Sequence, residues 1–316
     1  MRSNLSPLLI AAASLLAGCR SGEPAVLVAF SVHLEGWNLD ADPVVKDYLR
    51  EIDETAAAFE AYDGRLTLEA GMLIPRAVQL GDDTLAELAG RGHAVGVHAD
   101  MSLGGDEQPY DELVSALEGF RGLLLDQGID AGHVSGVCSD VDWVGAAVEA
   151  GLPVVSGATL WCARSLEPSL QPPELADCAA PVDCHWPWPG DFEARLRPWR
   201  MGGGDDWILS DPAGPAVMVP TTTGLTCNEE VAADPSATEC ELSEADIDLW
   251  FEHLDAAVEA AEEGQLTVLK GTISVGPELE PELLEGMLKR LRPYLRRGHA
   301  GWATVPEIVT RFEEQE

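Results

Sequence analysis

Basic residues are scarce in this 316-residue chain. It has 19 lysines and arginines against 55 aspartates and glutamates, which gives a formal net charge of −36. A field of that sign repels nucleic acid and anionic lipid. The composition therefore argues strongly against a nucleic-acid-binding protein, and it indicates solubility rather than a particular fold.

Several motifs are also lacking. No Cys-x2-Cys pair occurs, which argues against a zinc site built from cysteines. No Gly-x-Gly-x-x-Gly sequence follows the first predicted strand, which disfavours a Rossmann fold. No internal repeat is visible. The length fits one large domain or two small ones.

The N-terminus places one basic residue, Arg2, before a short apolar run at residues 8–16 that leads to Leu16-Ala17-Gly18-Cys19. This pattern is typical of a secretory signal peptide, and the run is too short for a stable membrane-spanning helix. The Leu-Ala-Gly-Cys ending resembles the lipobox of bacterial lipoproteins. The resemblance implies a signal peptide at 1–18, a lipidated Cys19 and a short tether at 19–24.

A lipidated protein of this kind would lie in the cell envelope, at the outer membrane or the periplasmic face, and would touch the membrane through its lipid anchor only. The alternative is a plain secreted protein in which Cys19 is incidental. The position of the cysteine and its flanking residues favour the anchor.

Six cysteines follow Cys19, and an even number in an exported protein indicates disulfides. Cys227 and Cys240 bracket one polar, proline-containing loop, and we predict that they pair. Cys162, Cys178 and Cys184 share a second irregular segment, and Cys138 would have to join that set.

Apolar, strand-like runs alternate with helix-like segments along the chain, which predicts βαβ units and a parallel sheet. Seven or eight such units fit a closed barrel better than an open sheet. We therefore predict a single α/β domain at residues 25–316, an irregular (β/α)7–8 barrel. The alternation of strand-like and helix-like segments is interrupted at about 157–215. We predict a disulfide-stapled loop insertion there, long enough to be functional. Strands are predicted at 25–30, 66–73, 94–98, 134–138, 153–155, 216–219, 266–269 and 301–304.

Three residues at predicted strand ends suit a metal site. The working face of such a barrel is at the C-terminal ends of its strands, where His33 and Glu35 follow the first strand and His98 ends the third. His33 and Glu35 are two residues apart, so they point the same way on an extended chain. Two histidines and one carboxylate suit a divalent metal with open positions, and we expect zinc. The alternative is that these histidines are structural.

Polar residues at other strand ends could assist catalysis. A metal-bound hydroxide would attack an acyl carbonyl. Asp100 or Asp140 would accept the proton if either lies within hydrogen-bond reach. Lys270, at the end of the seventh predicted strand, could stabilise the oxyanion.

These segments also carry a family resemblance. Gly-His-Ala-Val-Gly-Val-His at residues 92–98 resembles the Gly-His-Glu-Ile-Gly-x-His stretch of the polysaccharide deacetylases. Residues 32–37 fall where that family has Thr-Phe-Asp-Asp-Gly, and residues 301–308 resemble its C-terminal strand and helix. The resemblance implies an irregular (β/α)7 barrel that removes acetyl groups from sugars with a metal held by one Asp and two His. It implies His98 as the first metal histidine and Glu35 in place of the metal aspartate.

The chain departs from the family pattern at several positions. Ser102 stands where the second metal histidine is expected, and His33 or Leu34 stands in place of the base aspartate. The late histidine is replaced by Lys270 or Gly271. His33 would then have to supply the missing metal ligand.

Two functions follow from these patterns. The first is a metal-dependent hydrolase that acts on an acylated sugar or a similar envelope component. The alternative is a non-catalytic carbohydrate-binding protein on the same barrel, because tryptophan faces suit stacking on sugar rings. The predicted sugar-binding residues are Trp37, Trp186 and Trp199. The alternative to sugar binding is that the tryptophans of the insertion, which also include Trp161 and Trp207, pack the interior of a disulfide-stapled loop.

Overall fold

The computed structural model describes residues 23–34, 39–99, 109–180, 184–225, 242–275 and 279–316. Several predicted residues lie outside these described ranges: Cys19, Glu35, Trp37, Asp100, Ser102, Cys227 and Cys240.

Ten strands in the described ranges form one sheet, in the order β6-β7-β5-β4-β3-β2-β1-β9-β8, with β10 beside β1. All pairs are parallel except β6 with β7. The strands are β1 (Val26–Leu34), β2 (Thr67–Ala70), β3 (Ala94–His98), β4 (His133–Ser135), β5 (Val154–Ser156), β6 (Trp199–Met201), β7 (Ala216–Val219), β8 (Thr223–Gly224), β9 (Val268–Ser274) and β10 (Ala300–Trp302).

The sheet closes into a barrel through the segment that contains β7 and β8. β7 pairs with β5 through Val154↔Val217, whereas β8 pairs with β9 through Thr223↔Gly271. Only residues 220–222 separate the two strands, so one extended segment joins both ends of the sheet. The result is an irregular barrel with seven strand positions, which confirms the predicted α/β barrel.

Helices connect and cover the strands. They are α1 (Asp42–Glu60), α2 (Leu73–Leu80), α3 (Thr84–Gly90), α4 (Tyr110–Asp126), α5 (Trp143–Glu149), α6 (Glu244–Ala260), α7 (Pro281–Arg297) and α8 (Val305–Gln315). None of them, among the residues that the structure describes, has both the length and the apolar composition needed to span a membrane.

The N-terminal end of the barrel is filled by apolar side chains. Val217, Val268 and Ala29 pack there against Ile308 of α8. The first turn of α8 is fixed to the sheet, because the backbone N–H of Val305 donates to Oγ1 of Thr67 at 2.9 Å.

The insertion at about 157–215 is irregular, as predicted. Its described residues include the short 3-10 helices Leu160–Ser165, Pro173–Asp177 and Ala194–Leu196, and the antiparallel strand β6. Disulfides join Cys138 to Cys162 and Cys178 to Cys184. The expectation that Cys138 pairs within this set is confirmed, and the first disulfide ties the insertion to the end of β4.

Candidate active site

The register of four neighbouring strands brings polar side chains together. His33 of β1 lies beside Glu69 of β2, Glu69 lies beside Gly96 of β3, and His98 lies beside Ser135 of β4. Residues in register on parallel strands point to the same face of a sheet. These side chains therefore share the interior of the barrel near the C-terminal strand ends, where barrel enzymes carry their catalytic groups.

Glu69 and His33 form a buried contact. Nε2 of His33 lies 3.1 Å from Oε2 of Glu69, whose side chain is 0% exposed, whereas that of His33 is 22% exposed. Neither carboxylate oxygen receives a well-directed hydrogen bond from the residues that the structure describes, so the contact is chiefly one of charge. Burial raises the pKa of Glu69. The contact with His33 and the positive charge of Lys270 outweigh burial, so that the pKa falls to about 2.

The two predicted metal histidines lie side by side. The rings of His33 and His98 stack with their centroids 4.5 Å apart and their planes 23° from parallel. Nδ1 of His98 lies 2.7 Å from Oγ of Ser135, which is itself buried. Each ring thus has a buried polar partner beside one of its nitrogens, and such partners usually orient a metal-binding histidine.

A complete set of metal ligands is not present within the described residues, where no three His, Cys, Asp or Glu side chains are arranged to hold a metal ion. Two of the three predicted ligands, His33 and His98, are adjacent. The third, Glu35, lies outside the described residues. His33 and His98, with Glu69 and Ser135 buried beside them, fit a metal site in which Glu35 is the third ligand.

Two further basic groups lie inside the barrel. Nε2 of His133 is 4.0 Å from Oε1 of Glu69, and burial lowers the pKa of this histidine. Gly96 makes room for the His133 ring, since a Cβ at residue 96 would overlap it. Lys270 is 0% exposed and donates to Oγ1 of Thr221 at 2.9 Å. Burial lowers the pKa of Lys270 to about 8, although the charge of Glu69 opposes that shift. The oxyanion role of Lys270 stays a prediction.

Asp140 is engaged with a basic residue of the insertion. Oδ2 of Asp140 accepts a hydrogen bond from Nη2 of Arg164 at 2.8 Å, and the guanidinium of Arg164 lies 4.3 Å from the ring centre of Trp161. The catalytic role of Asp140 stays a prediction.

Most tryptophans of the insertion pack its interior. Trp161 and Trp207 are buried, and the indole of Trp199 donates to the carbonyl of Trp207 at 2.7 Å. Trp186 is 36% exposed, so it presents some surface to a ligand. Trp161 and Trp207 therefore pack the insertion, as the alternative to sugar binding predicts. Sugar binding by Trp186 and Trp199 stays a prediction.

Reasoning from the sequence missed Glu69, His133 and Ser135. Glu69 had one available signal, because it is a lone acidic residue within the short run Thr67–Ala70, all of which is buried. A charged residue is rarely buried without a partner, so such a glutamate merits attention. His133 and Ser135 flank a single valine in a three-residue strand, and no local pattern distinguishes them from structural residues.

Comparison with solved structures gives the fold. A crystal structure of a candidate polysaccharide deacetylase from Mycobacterium smegmatis superposes with a TM-score of 0.54 and 15% identity, covering 93% of this chain and 92% of that chain. The chain has the barrel fold of that deacetylase. At this identity, the likeness shows the fold and not the activity.

Two further solved structures overlap less well. A 4-alpha-glucanotransferase from Thermococcus litoralis gives a TM-score of 0.49 at 11% identity, with 91% of this chain and 38% of that chain covered. The Xyl-CE4 domain of a multidomain xylanase from the hindgut metagenome of Trinervitermes trinervoides gives 0.41 at 8% identity, with 92% of each chain covered. No family model matches the sequence, and no curated protein matches it.

Proposed function

We propose that this chain is a hydrolase that removes acyl groups from carbohydrate or a similar envelope component, and that it works at the C-terminal mouth of the barrel. The observation that carries the proposal is the cluster of His33, Glu69, His98 and Ser135 on four adjacent strands. The resemblance at residues 92–98 and the fold shared with a deacetylase structure support the same reaction class.

In this proposal, His33, Glu35 and His98 hold a divalent metal, and we expect zinc. When bound, such a metal lowers the pKa of its water and polarises the acyl carbonyl. Ser135 lies beside Nδ1 of His98, and Glu69 lies beside Nε2 of His33. The chain itself thus supplies two imidazoles whose positions are set before any substrate arrives.

The proton acceptor in this proposal is Asp100, two residues beyond His98. Asp140 is the alternative, but its carboxylate is already paired with Arg164. Asp100 lies outside the described residues, so its place rests on the sequence alone.

A non-catalytic sugar-binding protein is the competing function. The tryptophans that would favour it are in part committed to packing, since Trp161 and Trp207 are buried. The two adjacent histidines at the barrel mouth, in turn, are the donor type that a metal-dependent hydrolase needs. The geometry therefore favours the hydrolase.

Acetate release tests the proposal. The full chain, purified in detergent, is assayed on acetylated xylan and on N-acetylglucosamine oligomers, neutral polymers chosen because the chain is strongly acidic. We expect His98→Ala to lower turnover by more than about 100-fold, beyond the effect typical of a residue that only supports a metal ligand. A chelator should abolish activity in the same way.

His299→Ala is the matched control, because His299 is exposed and directly precedes β10, at the end of the barrel opposite the C-terminal strand ends. It should retain activity. Absence of acetate release by the unmodified chain, together with retained sugar binding that Trp186→Ala weakens, would replace the hydrolase with the binding protein.

We also propose that the lipid on Cys19 holds this domain at the cell envelope. When expressed in a bacterium with lipoprotein processing, the chain should partition into detergent. A Cys19→Ser variant that remains equally membrane-bound would remove the anchor from the proposal.

A further inference from the structure

The geometry points to Glu69 as the positioning residue for His33: the buried carboxylate fixes the imidazole at the barrel mouth in one orientation and one tautomer. This inference deepens the proposed function and rests on it where activity and metal affinity are concerned. The contact between Glu69 and His33 itself does not depend on it.

The backbone accounts for the pairing. His33 and Glu69 are direct neighbours in the β1–β2 register, and both side chains point into the barrel. The carboxylate is 0% exposed and the ring is 22% exposed, so Glu69 lies on the inner side of the pair and His33 on the side of the mouth. The 3.1 Å separation leaves no room for a water molecule between Nε2 and Oε2.

A carboxylate at this position is costly for the fold. Glu69 belongs to a strand whose other residues are all buried, and removing an ionised group from water is unfavourable unless it is paired. Well-packed apolar residues in place of a buried ion pair often make a protein more stable. We therefore attribute the presence of Glu69 at this position to its effect on His33 rather than to a gain in stability.

The surroundings of Glu69 maintain its position. His133 lies 4.0 Å from its other oxygen, in space that exists because residue 96 is glycine. Lys270 adds a positive charge from β9. The carboxylate thus faces basic groups on three other strands of the barrel, and His33 is the one among them that reaches the mouth.

The consequence for His33 follows from imidazole chemistry. When Nε2 carries the proton that faces Glu69, the neutral ring carries its lone pair on Nδ1. The partner of one ring nitrogen decides which nitrogen can bind a metal, and it also limits rotation of the ring. Without the carboxylate, the Nε2–H form of His33 loses the buried negative charge that favours it.

The chain contains a matched pair elsewhere. Nε2 of His93 lies 2.8 Å from Oε1 of Glu60, at the opposite, N-terminal end of β3. There Nδ1 of His93 accepts a hydrogen bond from the backbone N–H of Leu66 at 3.0 Å, and Oε1 of Glu60 also accepts one from Nε of Arg91 at 2.8 Å. The pair thus ties the end of α1 to the segment before β3. Glu60→Gln is therefore a control for the loss of a histidine–glutamate contact as such.

The experiment compares Glu69→Gln with Glu60→Gln in the full chain purified in detergent. Glutamine keeps the size of glutamate and removes its charge. We expect Glu69→Gln to lower zinc affinity, measured by calorimetry with Zn²⁺ alone, and kcat for acetate release by about 10- to 100-fold each, with little change in KM. Nitrogen NMR of the metal-free chain should show the Nε2–H form of His33 in the unmodified protein and its loss in Glu69→Gln.

A second comparison separates positioning from a general structural effect. In a His33→Ala background, Glu69→Gln should cause no further loss of zinc affinity, because a residue that acts only through His33 has nothing left to position. An additional loss equal to that seen with His33 intact would overturn the inference, as would a Glu69→Gln variant that behaves like Glu60→Gln.

The NMR measurement decides the inference even if other parts fail. If Glu69→Gln does not fold, a Nδ1–H form of His33 in the unmodified chain would still overturn the inference, and the Nε2–H form would support it. If the unmodified chain neither binds zinc nor releases acetate, the proposed function fails. The tautomer of His33 then still shows whether Glu69 positions it.

Discussion

Lys270 is the residue whose burial has the clearest consequence for stability. It is fully buried, and burial lowers its pKa from 10.5 to about 8. Between those two values the unfolded chain binds the proton and the folded chain does not, so the free energy of unfolding rises with pH through that window. The rise attributable to this lysine is on the order of 3 kcal/mol.

A Lys270→Met variant should lack that rise. We expect the difference in unfolding free energy between pH 7.5 and pH 10.5, measured by urea denaturation, to be smaller in this variant than in the unmodified chain. Lys289→Met is the control, because Lys289 lies on the surface next to Glu285. An unchanged pH dependence in Lys270→Met would show that burial does not lower the pKa of Lys270 in the folded chain.

At the residue scale, the sequence could predict strand-end residues but not their partners. His33 and His98 follow or end apolar runs, which places them at the mouth of any parallel barrel. Glu69 could not be assigned to His33, because that pairing depends on the register between β1 and β2. The partner of Asp140, Arg164, lies 24 residues away in an irregular segment, where spacing carries no information.

At the scale of elements, apolar runs located most strands well. The structure has β3 at Ala94–His98 and β7 at Ala216–Val219, the predicted bounds. The second predicted strand, 66–73, extended too far. β2 ends at Ala70, and the next residue, Gly71, approaches the carbonyl of His98 so closely that a Cβ would not fit.

Helix α2 begins at Leu73 and was not predicted. Its apolar start continues the apolar run of β2, so composition does not mark the boundary. Pro75 in its first turn is compatible with a helix start, because the first turn has no intrahelical acceptor for that position. The opposite error occurs at β9, which extends to Ser274 although its apolar run ends at Leu269. The strand continues there because its backbone stays paired with β1, from Lys270 beside Ala29 to Ser274 beside His33.

At the scale of the whole molecule, the chain is strongly acidic, whereas several side chains inside the barrel are basic. The chain carries a net charge of −36, while His33, His98, His133 and Lys270 all lie within the barrel. A strongly acidic surface disfavours polyanionic substrates. It also raises the local concentration of cations, which suits a site that takes up a divalent metal.

The metal content of the purified chain tests most directly whether His33 and His98 act together at the barrel mouth. After dialysis against buffer with trace zinc, elemental analysis should find close to one zinc ion per chain in the unmodified protein and in the His299→Ala control. His33→Ala and His98→Ala should each lose it to the same extent. Zinc retained by His33→Ala, or none bound by the unmodified chain, would contradict the proposed site.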